Sequence, residues 1–168
     1  MNTDEREYFM RLALEQAETA LNNEEVPVGC VFINQKREIL AKGYNKTNET
    51  LNGTEHAELV AIKDALYNRK MDPSVFENSI LFVSCEPCIM CAAAISKMKI
   101  SEVYFGCSND RFGGNGSILC VHNDPALNQG QGYAIHPGIL KDEAISIFQR
   151  FYDTENRRAP DNKRRRKG

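Results

Sequence analysis

Two short motifs in this 168-residue chain hold residue types that can do metal chemistry. The first is His56-Ala57-Glu58, and the second is Pro87-Cys88-Ile89-Met90-Cys91. One imidazole and two thiolates make three protein ligands for Zn²⁺, the number left when a tetrahedral ion keeps its fourth position for water. Bound Zn²⁺ brings the pKa of that water down to about 7, so a strong nucleophile is available at neutral pH. Glu58, two residues from the imidazole, is then the natural proton carrier. A closed four-ligand site is the alternative, with Cys85 or Cys107 supplying the fourth ligand.

The spacing constrains the elements that must hold these groups. Cys88 and Cys91 are at i, i+3, which puts both sulfurs on one face of a helix opening at Pro87, a residue favoured at the first helical position. A helix N-terminus, with its unpaired N–H groups and positive dipole end, lowers the cost of keeping them as thiolates. His56 and Glu58 are at i, i+2 and share no face in mid-helix. In a first turn, however, both can reach the space beyond the helix end. Both motifs are therefore expected at helix starts, over 55–69 and from Pro87 to about Lys97.

The remaining pattern gives an amphipathic helix over 4–22, strands near 26–33 and 38–44 joined as a hairpin, and a polar loop through Gly53. Strands follow at 79–84 and 102–106. The stretch 107–137 is mostly loop, with a short strand near 133–135, and a final helix spans 139–152. Strands alternating with helices in the later part of the chain predict an α/β fold, a three-layer sandwich around one central mixed sheet. His122 and His136 fall in the loop stretch and are expected at the surface. Cys30 lies in a strand, where a free thiol packs as a small hydrophobe.

Charge divides the chain in two. Residues 156–168 carry seven of the 21 basic residues and one of the 23 acids, which leaves the body with 14 against 22, a net −8. We expect one domain over 1–156 and a disordered basic tail over 157–168. Six cysteines, an acidic polar N-terminus and the lack of any long apolar run point to an intracellular protein with no membrane segment. The Lys163-Arg164-Arg165-Arg166-Lys167 run has three readings: a solvated tail, a nuclear-localisation patch, or a phosphate-binding segment.

His-x-Glu followed by Pro-Cys-x-x-Cys resembles the cytidine deaminase-like superfamily of zinc deaminases. The stretches EVPVGC (25–30), HAELVAI (56–62), CEPCIMCAAAI (85–95), VYFGCSNDRFGGNGS (103–117) and FYDTEN (151–156) resemble, within it, the catalytic subunits of eukaryotic tRNA wobble-adenosine deaminases. One departure is Asn115, where such relatives often have Cys; it lies outside the zinc motif. The resemblance implies a cytidine deaminase-like fold, Zn²⁺ on His56, Cys88 and Cys91, and a zinc-activated water with Glu58 as proton shuttle. It implies a base contact at Asn45, whose own context reads equally as a turn asparagine. It also implies conversion of adenosine to inosine in the tRNA anticodon, contact of Lys163, Arg164, Arg165, Arg166 and Lys167 with tRNA, and residence in nucleus and cytoplasm. The implied partner is a homologous inactive subunit in a heterodimer, a homodimer being the other arrangement. Two competing functions are a deaminase of free nucleosides, nucleotides or bases, and a non-catalytic zinc-containing RNA-binding subunit. The basic tail disfavours the first and Glu58 the second.

Overall fold

Val31 and Ile33 point to one face of strand β1 (Gly29–Ile33), Cys30 and Phe32 to the other, and all four are fully buried. A strand covered on both sides belongs at the centre of a sandwich, which is where the computed structural model places it. The structure describes residues 1–128 and 130–153. The expected tail at 157–168 lies outside them.

The sheet has five strands in the order β2-β1-β3-β4-β5. Strand β1 runs antiparallel to both β2 (Ile39–Tyr44) and β3 (Ile80–Cys85). Strands β3, β4 (Glu102–Cys107) and β5 (Ala134–Pro137) are parallel. It follows that β2, β3, β4 and β5 all point the same way. Their C-terminal ends share one edge of the sheet, where α/β proteins place their ligand sites.

Helix α1 (Thr3–Asn22) packs on one face through Phe9, Met10, Ala13 and Ala17, together with Ala144 and Ile147 of α5 (Lys141–Asp153). Helices α3 (Ala57–Lys63) and α4 (Ile89–Lys97) cover the other face, where Ala57, Ala61 and Ile95 meet Phe32, Leu81 and Val83. This is the mixed-sheet, three-layer sandwich expected from the sequence.

The elements differ from expectation where long-range partners override local pattern. Val26–Val28 precede β1 rather than extend it: Pro27 has no N–H to give a ladder, and the Val28 N–H turns back to the Val26 carbonyl at 2.8 Å. The stretch 45–53, expected as loop, contains a single helical turn, α2 (Thr47–Thr50). Helix α3 is regular only to Lys63 and then widens into a π turn over Asp64–Asn68, closed by the Arg69 N–H on the Asp64 carbonyl at 3.0 Å.

The two histidines expected at the surface are not loop residues on display. His122 is buried, and His136 lies in β5, stacked on Tyr104 at 4.1 Å and bonded to Glu102 at 3.1 Å.

Close approach of β2 to α3 depends on one residue. A Cβ on Gly43 would stand 2.4 Å from the Ala57 carbonyl oxygen and 2.8 Å from the Ala61 nitrogen. Only glycine lets the first turn of α3 rest against the strand, and that turn carries His56 and Glu58.

Candidate active site

His56 is the N-cap of α3, with extended backbone (φ −74°, ψ 158°), and its imidazole makes no capping bond. It is therefore free to turn out beyond the helix end. Glu58 sits one residue into the first turn and is buried, 3% exposed. The i, i+2 pair converges because one member is the cap and the other is helical.

On the second motif the structure corrects the expected helix start. Cys88, not Pro87, marks the boundary: it is the N-cap of α4 (φ −67°, ψ 168°), and Pro87 lies outside the helix. The Cys88 Sγ accepts the Cys91 N–H at 3.5 Å, taking the place a serine or aspartate oxygen usually fills. Strand β3 ends three residues earlier, so α4 begins on the same edge of the sheet as α3.

The three expected ligand atoms come together there. The His56 Nδ1 is 3.4 Å from the Cys88 Sγ and 3.6 Å from the Cys91 Sγ, and all three atoms lie within 4.8 Å of one another. Tetrahedral bonds of about 2.3 Å to sulfur and about 2.0 Å to nitrogen would separate S and N by about 3.5 Å. The cradle thus has the donors and the dimensions for Zn²⁺. Among the described residues it is the one such group, and neither Cys85 nor Cys107 is part of it. Those two are Cα partners across β3 and β4, and both are buried. The geometry disfavours the closed four-ligand alternative.

Electrostatics follow from the crowding. Hydrogen bonds from Cys91, and after it from His56, hold the Cys88 thiol down at about 4. The Cys91 thiol is pushed up, first by its bond to Cys88 and then by burial. His56 is raised, chiefly by its bond to Cys88. Burial, then the negative charge of Cys88, pushes Glu58 up to about 7. A carboxyl group poised near neutrality both takes and returns a proton readily.

His56, Glu58, Cys88 and Asn45 all line one cavity of about 1170 Å³, whose rim includes Arg111, Phe112, Lys141 and Tyr152. Asn45 follows β2 directly and is 4% exposed. Its Nδ2 donates to the Glu25 Oε2 at 3.0 Å and the Thr47 Oγ1 at 3.1 Å. The basic run 163–167 lies outside the described residues.

Two acids sealed almost completely from solvent escape sequence reasoning. Glu25 is fully buried at the foot of β1. Glu86 is 2% exposed and organises the glycine-rich loop facing α4. It accepts from the backbone N–H groups of Asn109 (3.0 Å), Asn115 (3.0 Å) and Ser117 (3.1 Å), and from the Ser117 hydroxyl. Asn115 is also bonded through its Oδ1 to the Tyr133 hydroxyl at 2.6 Å, behind α4 rather than in the cradle. Both acids belong to stretches that stand out in the sequence, EVPVGC and CEPC, but nothing local shows that they are buried. Their donors lie 20 or more residues away.

Residues 3–107 match the family described as the cytidine and deoxycytidylate deaminase zinc-binding region. A tRNA-specific adenosine deaminase 2 from Xenopus laevis is 44% identical, covering 98% of this chain and 96% of its own length. A tRNA-specific adenosine deaminase subunit from Schizosaccharomyces pombe is 45% identical over 93% of this chain, which spans only 39% of that longer protein. Among solved structures, one from a study of A-to-I editing by tRNA:A34 deaminases superposes with a TM-score of 0.75 at 31% identity, covering 83% of this chain and 98% of its own. A guanine deaminase from Nitrosomonas europaea shares the fold at 19% identity, with a TM-score of 0.72, covering 88% of this chain and 85% of its own.

Proposed function

The chain belongs to the cytidine and deoxycytidylate deaminase zinc-binding family, and from that premise we propose that it hydrolyses adenosine to inosine at the wobble position of tRNA anticodons. The reaction type rests on one observation: a buried carboxylate, Glu58, stands beside a His-Cys-Cys cradle without belonging to it. The substrate rests on the tRNA-specific relatives, which match almost the whole chain. A base in an anticodon loop is also unstacked enough to enter a cavity.

Zn²⁺ held by His56, Cys88 and Cys91 would make a water acidic enough to attack at neutral pH. Glu58 takes the proton of the attacking water and passes it to the ring nitrogen. With the water oxygen now bonded to C6, Glu58 moves the proton of that new hydroxyl to the exocyclic amine, so the C6–N bond breaks and ammonia leaves as the C6 carbonyl forms. Adenosine and water become inosine and ammonia, and Glu58 ends as it began. Asn45 holds the base at the cavity wall, and burial of Glu58 keeps bulk water from competing for its proton.

The active unit, in this reading, is a heterodimer with a homologous inactive subunit. A body of charge −8 repels phosphate at long range, so a partner surface and the basic tail must supply the attraction. Lys163, Arg164, Arg165, Arg166 and Lys167 make the phosphate contacts. Residence in nucleus and cytoplasm belongs to the same reading. No helix among the described residues is long and apolar enough to cross a membrane.

The deciding experiment is inosine detection at the wobble position of tRNA incubated with this chain alone and with candidate partner subunits. Inosine appearing only with an unlike partner supports the reading. Full activity from a homodimer rejects the heterodimer, and deamination of free nucleosides with no action on tRNA rejects the substrate.

Deleting residues 157–168 should weaken tRNA binding and flatten its dependence on salt. Each phosphate that the tail neutralises releases counterions and contributes about 0.7–0.9 to the log–log slope. Titrations at several salt concentrations check this, and an unchanged slope rejects the phosphate contacts. A fluorescent fusion lacking the same residues tests import separately: loss of its nuclear fraction would add that role to the run.

A further inference from the structure

A carboxylate buried without solvent is costly unless donors surround it, so such a group is held for what it organises. Glu25 is 0% exposed. Four donors of the 45–49 segment reach it: the Asn45 Nδ2 at 3.0 Å, the Thr47 hydroxyl at 3.4 Å, the Asn48 N–H at 3.1 Å and the Glu49 N–H at 2.6 Å. The last two are N–H groups of the α2 turn that no helical carbonyl can satisfy. Glu25 therefore fastens the start of β1 to the segment leading from β2 towards His56.

The bond to Asn45 has a chemical consequence. A side-chain amide is planar, and its two ends differ: one donates, the other accepts. With Nδ2 held by Glu25 and Thr47, Oδ1 is fixed as well. The opposite flip would set an amide oxygen against a buried carboxylate, oxygen against oxygen, with no proton between them. Thr47 alone does not settle the matter, because a hydroxyl both donates and accepts.

We infer that Glu25 is a positioning residue, which locks Asn45 in one flip state and so sets the polarity of the contact Asn45 makes with the substrate base. The inference rests on the reading of Asn45 as a base contact. Glu25 is not among the residues that line the cavity or form the cradle; it acts through Asn45.

The test is a double-mutant cycle, read in the active assembly on wobble-adenosine tRNA. Glu25→Gln keeps the volume but replaces one acceptor with a donor, so Asn45 can adopt either flip. Its expected effect is a fall in kcat/KM of about tenfold, carried by KM with kcat little changed, as when binding shared equally by ground and transition states is removed. Asn45→Ala should cost at least as much. In the Asn45→Ala background, Glu25→Gln should add nothing, because there is no amide left to orient. Additive losses would overturn the inference while leaving the base contact standing. A silent Asn45→Ala would remove the base contact and the inference with it.

If Glu25→Gln does not fold, the wild-type protein still decides. The Asn45 side-chain amide protons should be shifted downfield and slow to exchange with solvent in NMR spectra. Ordinary shifts with fast exchange overturn the inference.

Discussion

Glu58→Ala should retain one zinc per chain, keep the fold and lose at least about 10²-fold in deamination rate, the usual scale of general acid–base catalysis. Zinc is retained because the three cradle atoms lie within 4.8 Å of one another without any oxygen of Glu58. The fold is retained because the mutation removes a buried acid whose burial opposes its ionisation. Glu58→Gln is the sharper variant: it keeps shape and hydrogen-bonding capacity but cannot carry a proton, so it should be as inactive as the alanine. Metal analysis, circular dichroism and single-turnover inosine formation read the three quantities separately. A zinc-loaded Glu58→Gln protein turning over at the normal rate would remove Glu58 from the chemistry. Loss of zinc in either variant would make Glu58 part of the metal's support instead.

Cys91→Ala should abolish zinc binding, activity and part of the stability together. Cys91 is fully buried, and no other cysteine among the described residues stands close enough to the cradle to replace it. Ligands on His56 and Cys88 are 32 residues apart in sequence, so a bound ion closes a loop that the unfolded chain must otherwise leave open. A covalent cross-link of that span stabilises by about 3–4 kcal/mol in chain-entropy terms, and we expect a metal clip to be of that order. Stripping the wild type with a chelator should lower its melting temperature towards that of Cys91→Ala and leave Cys91→Ala unmoved. The control is Cys85→Ser, which should keep its zinc. Zinc loss from Cys85→Ser would revive the closed four-ligand site.

The cradle is legible in the sequence because its parts are local. His56 and Glu58 are two residues apart, Cys88 and Cys91 three, and each pair opens a helix whose start a short motif announces. The layers are legible for a similar reason: β1 and β3 are short apolar runs rich in branched and aromatic residues, and α1 and α5 show helical spacing. Features that exist only through distant partners cannot be read this way. The α2 turn has no apolar periodicity of its own, and its free N–H groups find their acceptor at Glu25. His136 reads as a loop residue because β5 is held by pairing with β4 rather than by its own composition. Cys88 is expected inside the helix, since proline often opens one; sulfur acting as the cap depends on where the chain leaves β3. Glu86 shows the limit most clearly: an acid beside a proline reads as surface until a loop more than 20 residues later folds around it.

The fit of Gly43 against the first turn of α3 bears on how such a protein can change over generations. The seam between β2 and α3 leaves no room for variation: a single methyl group at Gly43 would strike the backbone of the very turn that carries His56 and Glu58. The rim is the opposite. Phe112 is 63% exposed and Tyr152 61% exposed, and substitutions at surface positions of that kind usually alter stability by no more than about 0.5 kcal/mol. Drift or selection at the rim can therefore reshape which nucleic acid approaches without disturbing the chemistry beneath. The lineage is free to explore new substrates along the rim of its pocket, and is held at glycine where strand and helix meet.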